Sequence, residues 1–596
     1  MRNVLCLALL VPILALAAGT PKPATAIAPR VPLQHVIPGD GGAGPGGTQF
    51  RLGPSRTARF TIGTVDTVGG TTYDYQWNDA AYRMLLQTPG RGVHAMWMYS
   101  QDTDTLFLNR NMQYNFYDYS VPAWNWNDPN FMVSGQGVFS ERTGYGSMDT
   151  DTNGVAVIAA HHTTPAGLAP IVARDADVGA GIFDYAPGEP TLDRYLWPYL
   201  GVGMNGYYHL AVIDDHNRQN LYRSRVTSWQ TFDPAASVPP PQPEPLTPSQ
   251  NIATSKVPGS NKVCITWVNW APSGQFQQNP GFYIESRDGG ENWDPPVDVG
   301  YPPAFHPGSD TLPAFGRSAL VPFYDRNDNL HLVGEVAPYE SDTIWLRPAH
   351  GEIWHWCAAR PDSWDLIRIS SPVAPPDSFQ GNFPSAASVI CHHSVGQDNR
   401  GNLFVTWEEY DGVNVDSTTT CLRADIWYSY STDNGVTWAE GTKLTDGGDV
   451  SYEFPSILDP IDSTVMVRYL IDQVAGHFVQ SAEGDPTNNP VVVQKWANPV
   501  GIEGPKVVTP VRMDVAASPN PSGGRTMISY ALPQTGDVSL VVYDAVGRPV
   551  QILASGRREA GRYTATWNAH DAAAGVYFYT LTSGKASITR KLILAD

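Results

Sequence analysis

One eight-residue pattern occurs twice and constrains the fold more than any other feature. It is Ser-x-Asp-x-Gly-x-x-Trp. The first copy runs through Ser286, Asp288, Gly290 and Trp293, the second through Ser431, Asp433, Gly435 and Trp438. Each copy sits between a strand-like run and a second, shorter one. The residue types suit a tight hairpin. An aspartate accepts hydrogen bonds from the N–H groups of its own turn, glycine supplies positive φ, and the tryptophan folds back as an apolar plug.

A looser repeat runs through the middle of the chain. Its clearest element is an apolar strand ending in aromatic, histidine or acidic residues. It recurs as GVHAMW near His94, GVAVIAAHH near His161, YYHLAVID near His209, KVCITWVNW near Trp267, NLHLVGE near Glu335, NLFVTWEEY near Trp407 and TVMVRY near Tyr469. Asn-, Asp- and Gly-rich turns precede several of these, as in DTDTNG, DRNDN and QDNRGN. Units of this length are the size of four-stranded propeller blades. No long stretch keeps helical periodicity, and the 55 Gly, 28 Tyr and 18 Trp favour strands and turns. The expectation is an all-β chain, with a propeller of seven blades, or six as the alternative, over 70–507.

The paired motif resembles the Asp-box of sialidase-like β-propellers. In that family the box lies on the rim, away from the ligand mouth, so the resemblance implies a fold rather than a chemistry. Sialidases need arginines to clamp a carboxylate, a carboxyl acid/base and a Tyr–Glu nucleophile pair. The F/Y-R-I-P signature of the family is absent. The candidates left are Arg83, Arg317, Arg142 and Arg468 as clamps, Glu335 and Glu408 as acids, and Tyr469 beside Arg468. Strand-end tryptophans, Trp97, Trp270 and Trp407 above all, are candidates to stack on sugar faces at the mouth.

From Met513 the pattern changes to short alternating strands, as expected of a small Ig-like β-sandwich over 508–596. This tail resembles the C-terminal sorting domain of type IX secretion cargo, related to flagellar hook-cap immunoglobulin-like domains. The matching residues are Pro519-Asn520-Pro521, the ISYALP run ending at Pro533, Val542-Tyr543-Asp544, Gly547-Arg548, Trp567, Gly575 through Tyr579, and Lys591 through Leu594. The resemblance implies export across an outer membrane by the secretion machinery, with the domain as its address.

The start of the chain agrees. Arg2, the apolar run Val4 to Ala18 and the small residues Ala24-Thr25-Ala26 read as a secretory signal over 1–26. A Gly/Pro-rich leader over 27–69 follows, and no later segment could span a bilayer as a helix. Once Cys6 leaves with the signal, Cys264, Cys357, Cys391 and Cys421 remain. Three disulfide connectivities are open, with Cys391–Cys421 favoured because both fall in one repeat.

A formal charge of −20 disfavours nucleic acid and anionic lipid as partners. There is no C-x-x-C, G-x-S-x-G, P-loop or H-E-x-x-H. The pairs His161-His162 and His392-His393 fall in strands, where neighbours point to opposite faces, so neither pair is expected to grip a metal. No cofactor is expected. The reading is an exported propeller that binds a glycan or glycoprotein. Its alternatives are a diverged sialidase-like glycoside hydrolase and an adhesive or structural surface protein.

Overall fold

The computed structural model describes residues 56–595 apart from short internal stretches, the longest being 501–512, 239–249 and 340–349. The signal segment, the Pro-rich run at 239–248 and Trp270 lie outside the described residues. The chain divides into two compact units, Met1–Gly501 and Ile502–Asp596.

Among the described residues the first unit holds seven antiparallel sheets of four or five strands. In chain order their innermost strands are Leu85–Thr88, Thr143–Thr150, Tyr195–Val202, Asn251–Thr254, Leu312–Tyr324, Ile390–Gln397 and Ser451–Ile457. Each sheet packs on the next through these strands. Sheet 7 packs on sheet 1, so the ring closes as a β-propeller. Sandwiching between neighbours explains why the second strands read as continuous apolar runs: Val157, Ile158, Ala159 and Ala160 are all fully buried. The Asp-rich turns entering these strands share one device. Asp325 Oδ1 accepts the N–H groups of Asn327 and Asn329, and Asp398 Oδ1 those of Arg400 and Asn402.

Sheet 7 is composite. Ser451–Ile457, Thr464–Asp472 and Asn489–Ala497 come from the end of the unit, and its outer strand Thr64–Thr71 comes from the beginning. This pairing ties the two ends of the ring together. The expected leader therefore gives way at Thr64 rather than at residue 69, because Thr64–Thr67 already pair with Val492–Lys495.

The residues after that strand cross the middle of the ring. Tyr73, Tyr75, Trp77 and Tyr82 are essentially fully buried. The Tyr73 and Tyr145 hydroxyls lie 2.8 Å apart, reaching sheet 2. Gln76 donates to Met98 O of sheet 1 and accepts from Arg468 of sheet 7. Trp77 packs edge-on against His392 of sheet 6. Ala80 O accepts from Tyr199 of sheet 3, and Ala81 O from Asn251 of sheet 4. Residues 72–77 and 80–84 thus form a plug that, among the described residues, six of the seven sheets touch.

A bulge recurs on the innermost strands. The register breaks at Gly144/Ser147, Leu196/Tyr199, Phe315/Leu320, Cys391/Ser394 and Glu453/Ser456. Tyr145, Trp197, His392 and Phe454 take positive φ there, between 51° and 58°. Two residues later a serine often ties this strand to the next sheet. Ser147, Ser394 and Ser456 accept the N–H groups of Leu200, Ile457 and Met84.

The second unit is a β-sandwich. Asp514–Ser518, Arg525–Leu532 and Gly561–Asn568 form one sheet. Gly536–Tyr543, Pro549–Arg558, Gly575–Ser583 and Ala586–Leu594 form the other. Alternate residues meet between them, including Ile528, Tyr530, Leu540, Val542, Trp567 and Leu581.

The favoured disulfide is not formed. All four cysteines are buried and free. Cys391 pairs across the sheet with Glu408, which in turn pairs with Ile426, five residues along the next strand from Cys421. Sharing a repeat does not bring the two sulfurs into register.

Candidate functional site

The two Ser-x-Asp-x-Gly-x-x-Trp turns have the same geometry to within 0.1 Å. Asp288 Oδ1 accepts from Ser286 Oγ at 2.9 Å and from the Asn292 N–H at 2.9 Å; the Gly290 N–H donates to Ser286 Oγ at 2.8 Å; Trp293 Nε1 donates to Gly290 O at 3.1 Å. In the second turn the corresponding distances are 2.9, 2.8, 2.8 and 3.1 Å. The Asn292 N–H lowers the Asp288 carboxyl to about 2.

Each turn also clasps the preceding sheet. Trp438 packs against His355 of sheet 5. Trp293 lies under Arg223 of sheet 3, with the guanidinium carbon 5.3 Å from the ring centre, and the Gly289 carbonyl accepts from Arg225.

Beside the first turn is a cavity of about 160 Å³ lined by His209, Arg223, Arg225, Asp233, Gly290 and Trp293. Arg225 is neutralised by Asp233 and by Glu291. Arg223 donates to the Ser237 carbonyl and, among the described residues, forms no ion pair. Burial, then the neighbouring Arg225, push its guanidinium down. His209 is buried and held neutral, its imidazole lowered to about 3 by burial and by Arg225 and Lys256. Its Nε2 has no hydrogen-bond partner. The cavity therefore combines an aromatic face, a cation short of a counter-charge and a neutral imidazole.

A second polar cluster lies under the plug. Arg110 donates to the Tyr73 hydroxyl at 3.0 Å, and its Nη2 is 3.3 Å from His161 Nε2, with all these groups buried. On the other side of the plug, Asp74 accepts the N–H groups of Phe478 and Val479, and His477 Nε2 lies 3.2 Å from Glu453. Burial raises Asp74 to about 7 against the pull of His477. Burial opposes charging His477, yet Glu453, Asp74 and Glu483 outweigh it and hold the imidazole near 10. Asp472 is pushed up by burial and by Glu453 and Asp74.

The sequence candidates do not converge on one mouth. Arg83 sits near the C-terminal ends of the inner strands, 3.3 Å from Asp149, a carboxylate that also binds Lys256. Arg317 lies within Leu312–Tyr324, but its side chain is outside the described residues. Arg142 donates to the Phe107 carbonyl. Arg468 is fully buried against Gln76 and the Phe454 carbonyl, and burial lowers it to about 9. Tyr469 turns away from it, its hydroxyl donating to Gln494.

Among the described side chains, only Glu335 and Glu408 come together, around Cys391. Ser388 Oγ, on the turn before that cysteine, donates to Glu335, and Glu408 accepts from Cys391 and lies 2.6 Å from His392 Nδ1. Trp97 and Trp407 are fully buried inside their blades and stack on no open mouth. In a propeller both faces of a blade are covered, so a strand-end position does not imply exposure. Sequence reasoning missed Arg223 and Arg225. Their i, i+2 spacing in LYRSRVTS places both on one strand face and was the available signal.

Fold and tail together define an exported all-β protein: a propeller followed by an Ig-like sandwich. Residues 517–595 match the secretion system C-terminal sorting domain, which marks the chain for type IX secretion to the cell surface or beyond. No curated protein matches the chain. Among solved structures, the chain is similar to an ulvan lyase of polysaccharide lyase family PL25, at 10% identity and a TM-score of 0.43, covering 74% of this chain and 95% of that one. It is also similar to the intramolecular trans-sialidase from Ruminococcus gnavus, at 8% identity, TM-score 0.34, and coverage of 61% and 97%. A sialidase from Streptococcus pneumoniae shows 10% identity, TM-score 0.33, and coverage of 72% and 70%. These likenesses concern the fold alone.

Proposed function

We propose that the protein is a surface-delivered propeller that binds an acidic glycan in the cavity beside Trp293. The observation that carries this reading is Arg223, half-buried on the Trp293 ring with Arg225 as its neighbour and, among the described residues, no carboxylate to neutralise it. An arginine in that setting favours a uronate or sulfate group. The tryptophan face offers a platform for the sugar ring, and Asp233 and the His209 imidazole edge the cavity with polar atoms. The strongly negative body repels anions at long range, so recognition rests on this local pair. The scatter of the candidate catalytic residues supports binding over hydrolysis.

The test is an array of neutral, uronate-bearing and sulfated glycans with the full chain. Acidic glycans are expected to bind, Trp293→Ala and Arg223→Gln each to weaken binding about tenfold or more, and fluorogenic glycosides to stay intact. Equal binding of neutral and acidic glycans, or full binding by Arg223→Gln, would refute the reading.

A further inference from the structure

The geometry points to a buried divalent-metal site of the zinc class at Cys391, His392 and Glu408, in sheet 6 beneath the plug. The site is independent of the glycan reading. In a regular strand Cys391 and His392 would face opposite ways. The bulge between Cys391 and Ser394, with His392 at φ 52°, turns both toward one place, while His393 leaves in another direction to the Val333 carbonyl.

Glu408 arrives from the paired strand directly opposite Cys391. The three ligand atoms lie within 4.8 Å of one another. Cys391 Sγ is 3.6 Å from His392 Nδ1 and 3.1 Å from Glu408 Oε1, and the nitrogen and oxygen are 2.6 Å apart. A tetrahedral zinc with thiolate, imidazole and carboxylate ligands holds its donors about 3.3–3.7 Å apart. The set thus needs an opening of about 0.7 Å at the His–Glu pair and about 0.4 Å at the Cys–Glu pair. The Tyr410 hydroxyl donates to the same oxygen at 3.5 Å. Thiolate with imidazole and one carboxylate selects zinc over magnesium or calcium, which take oxygen ligands.

The surroundings favour a cation. Glu335 and Glu408 are both buried around Cys391. Cys391 feels both Glu408 and Glu335, and Tyr410 feels both Glu408 and Glu453. Carboxylates are costly to bury, and a dication offsets that cost. On binding, the metal takes the sulfur lone pair and the thiol proton passes to solvent, while the imidazole binds as a neutral ligand through Nδ1. The second oxygen of Glu408 already accepts the Phe454 N–H of sheet 7 at 2.7 Å. The ion would therefore pin two sheets of the ring, and the His392 ring that packs on Trp77, at one point.

The full chain is produced in minimal medium supplied with zinc or with cobalt(II), so that the site fills as the chain folds. The expected result is about one ion per chain by elemental analysis and, for cobalt, a thiolate-to-metal charge-transfer band with strong tetrahedral d–d absorption. Cys391→Ser is expected to lose the band and Glu408→Gln to lose most of the metal. Cys357→Ser, at a sulfur in sheet 5, is expected to keep both. Wild-type protein carrying less than about a tenth of an equivalent from either medium would overturn the proposal on its own, whether or not the variants fold. A band that survives Cys391→Ser, or that vanishes in Cys357→Ser instead, would also overturn it.

Discussion

The two turn glycines provide an internal comparison. Gly290 and Gly435 hold nearly the same backbone, at φ 84° and 81°, in turns with the same hydrogen bonds. A methyl group on either pays the left-handed cost of about 1–2 kcal/mol. Their surroundings differ. A Cβ on Gly290 would meet His209 Cε1 at 3.1 Å, a tight contact that a small shift relieves. A Cβ on Gly435 would meet His355 Cε1 at 2.1 Å, inside the buried ring. That ring cannot retreat freely, since it stacks on His331 and its Nε2 is 2.8 Å from His331 Nδ1. Overpacking adds roughly 1–3 kcal/mol. Gly290→Ala is thus expected to cost about 1–2 kcal/mol, and Gly435→Ala roughly 2–5 kcal/mol. Urea unfolding of the purified chain, followed by tryptophan fluorescence, measures both. His355→Ala should remove the extra cost, so Gly435→Ala and His355→Ala should combine to less than their sum. Equal losses at the two glycines, or full additivity with His355→Ala, would show that the second turn does not lean on the histidine of the preceding sheet.

Two further outcomes follow from burial. Trp407→Ala is expected to cost about 3–5 kcal/mol while leaving glycan binding by the folded fraction unchanged, because the ring is blade core; denaturation and binding assays on the same sample check it. His209 is held neutral, with its imidazole near 3 against an ordinary 6.5. Its neutral form is fully tolerated above pH 6.5, and stability is lost as pH falls from there toward 3, because only the unfolded chain takes up the proton. At pH 5 that loss is about 2 kcal/mol. His209→Gln should therefore flatten the decline in stability between pH 7 and pH 5 by about that amount, as read from urea midpoints across the range.

The fold was legible wherever local chemistry repeats. Each Asp-stabilised turn carries its hydrogen-bond acceptor in the sequence, and each apolar second strand carries its double burial. The tail was legible along its whole length for the same reason. The interior of the ring was not. A bulge needs one residue at positive φ, and Tyr145, Trp197, His392 and Phe454 supply it without the glycine or asparagine that would announce it. Alternation then fails where it matters: Cys391 and His392 share a site that a straight strand would deny them. The run Tyr73-Asp74-Tyr75-Gln76-Trp77 alternates like a strand, yet it pairs with none and fills the ring instead.

That plug narrows the axis: the cavity lined there by Arg83, Ser147, Leu200, Asn251, Ser394 and Asp459 has a volume of about 30 Å³. A ring of this many sheets leaves a gap at its axis that the innermost strands do not fill by themselves. In this chain one continuous segment does two jobs. Thr64–Thr71 closes the ring as the outer strand of sheet 7, and residues 72–77 and 80–84 then cross the axis to begin sheet 1. The aromatic side chains that occupy the gap also cut Asp74 off from water, which is why burial raises its carboxyl to about 7. The cavity between blades at the rim is roomier, at about 160 Å³. There the hairpin that clasps sheet 4 to sheet 3 leaves Trp293, Arg223 and a neutral histidine around one cavity. The turn that looked purely structural in the sequence thereby also shapes the cavity to which glycan binding is proposed.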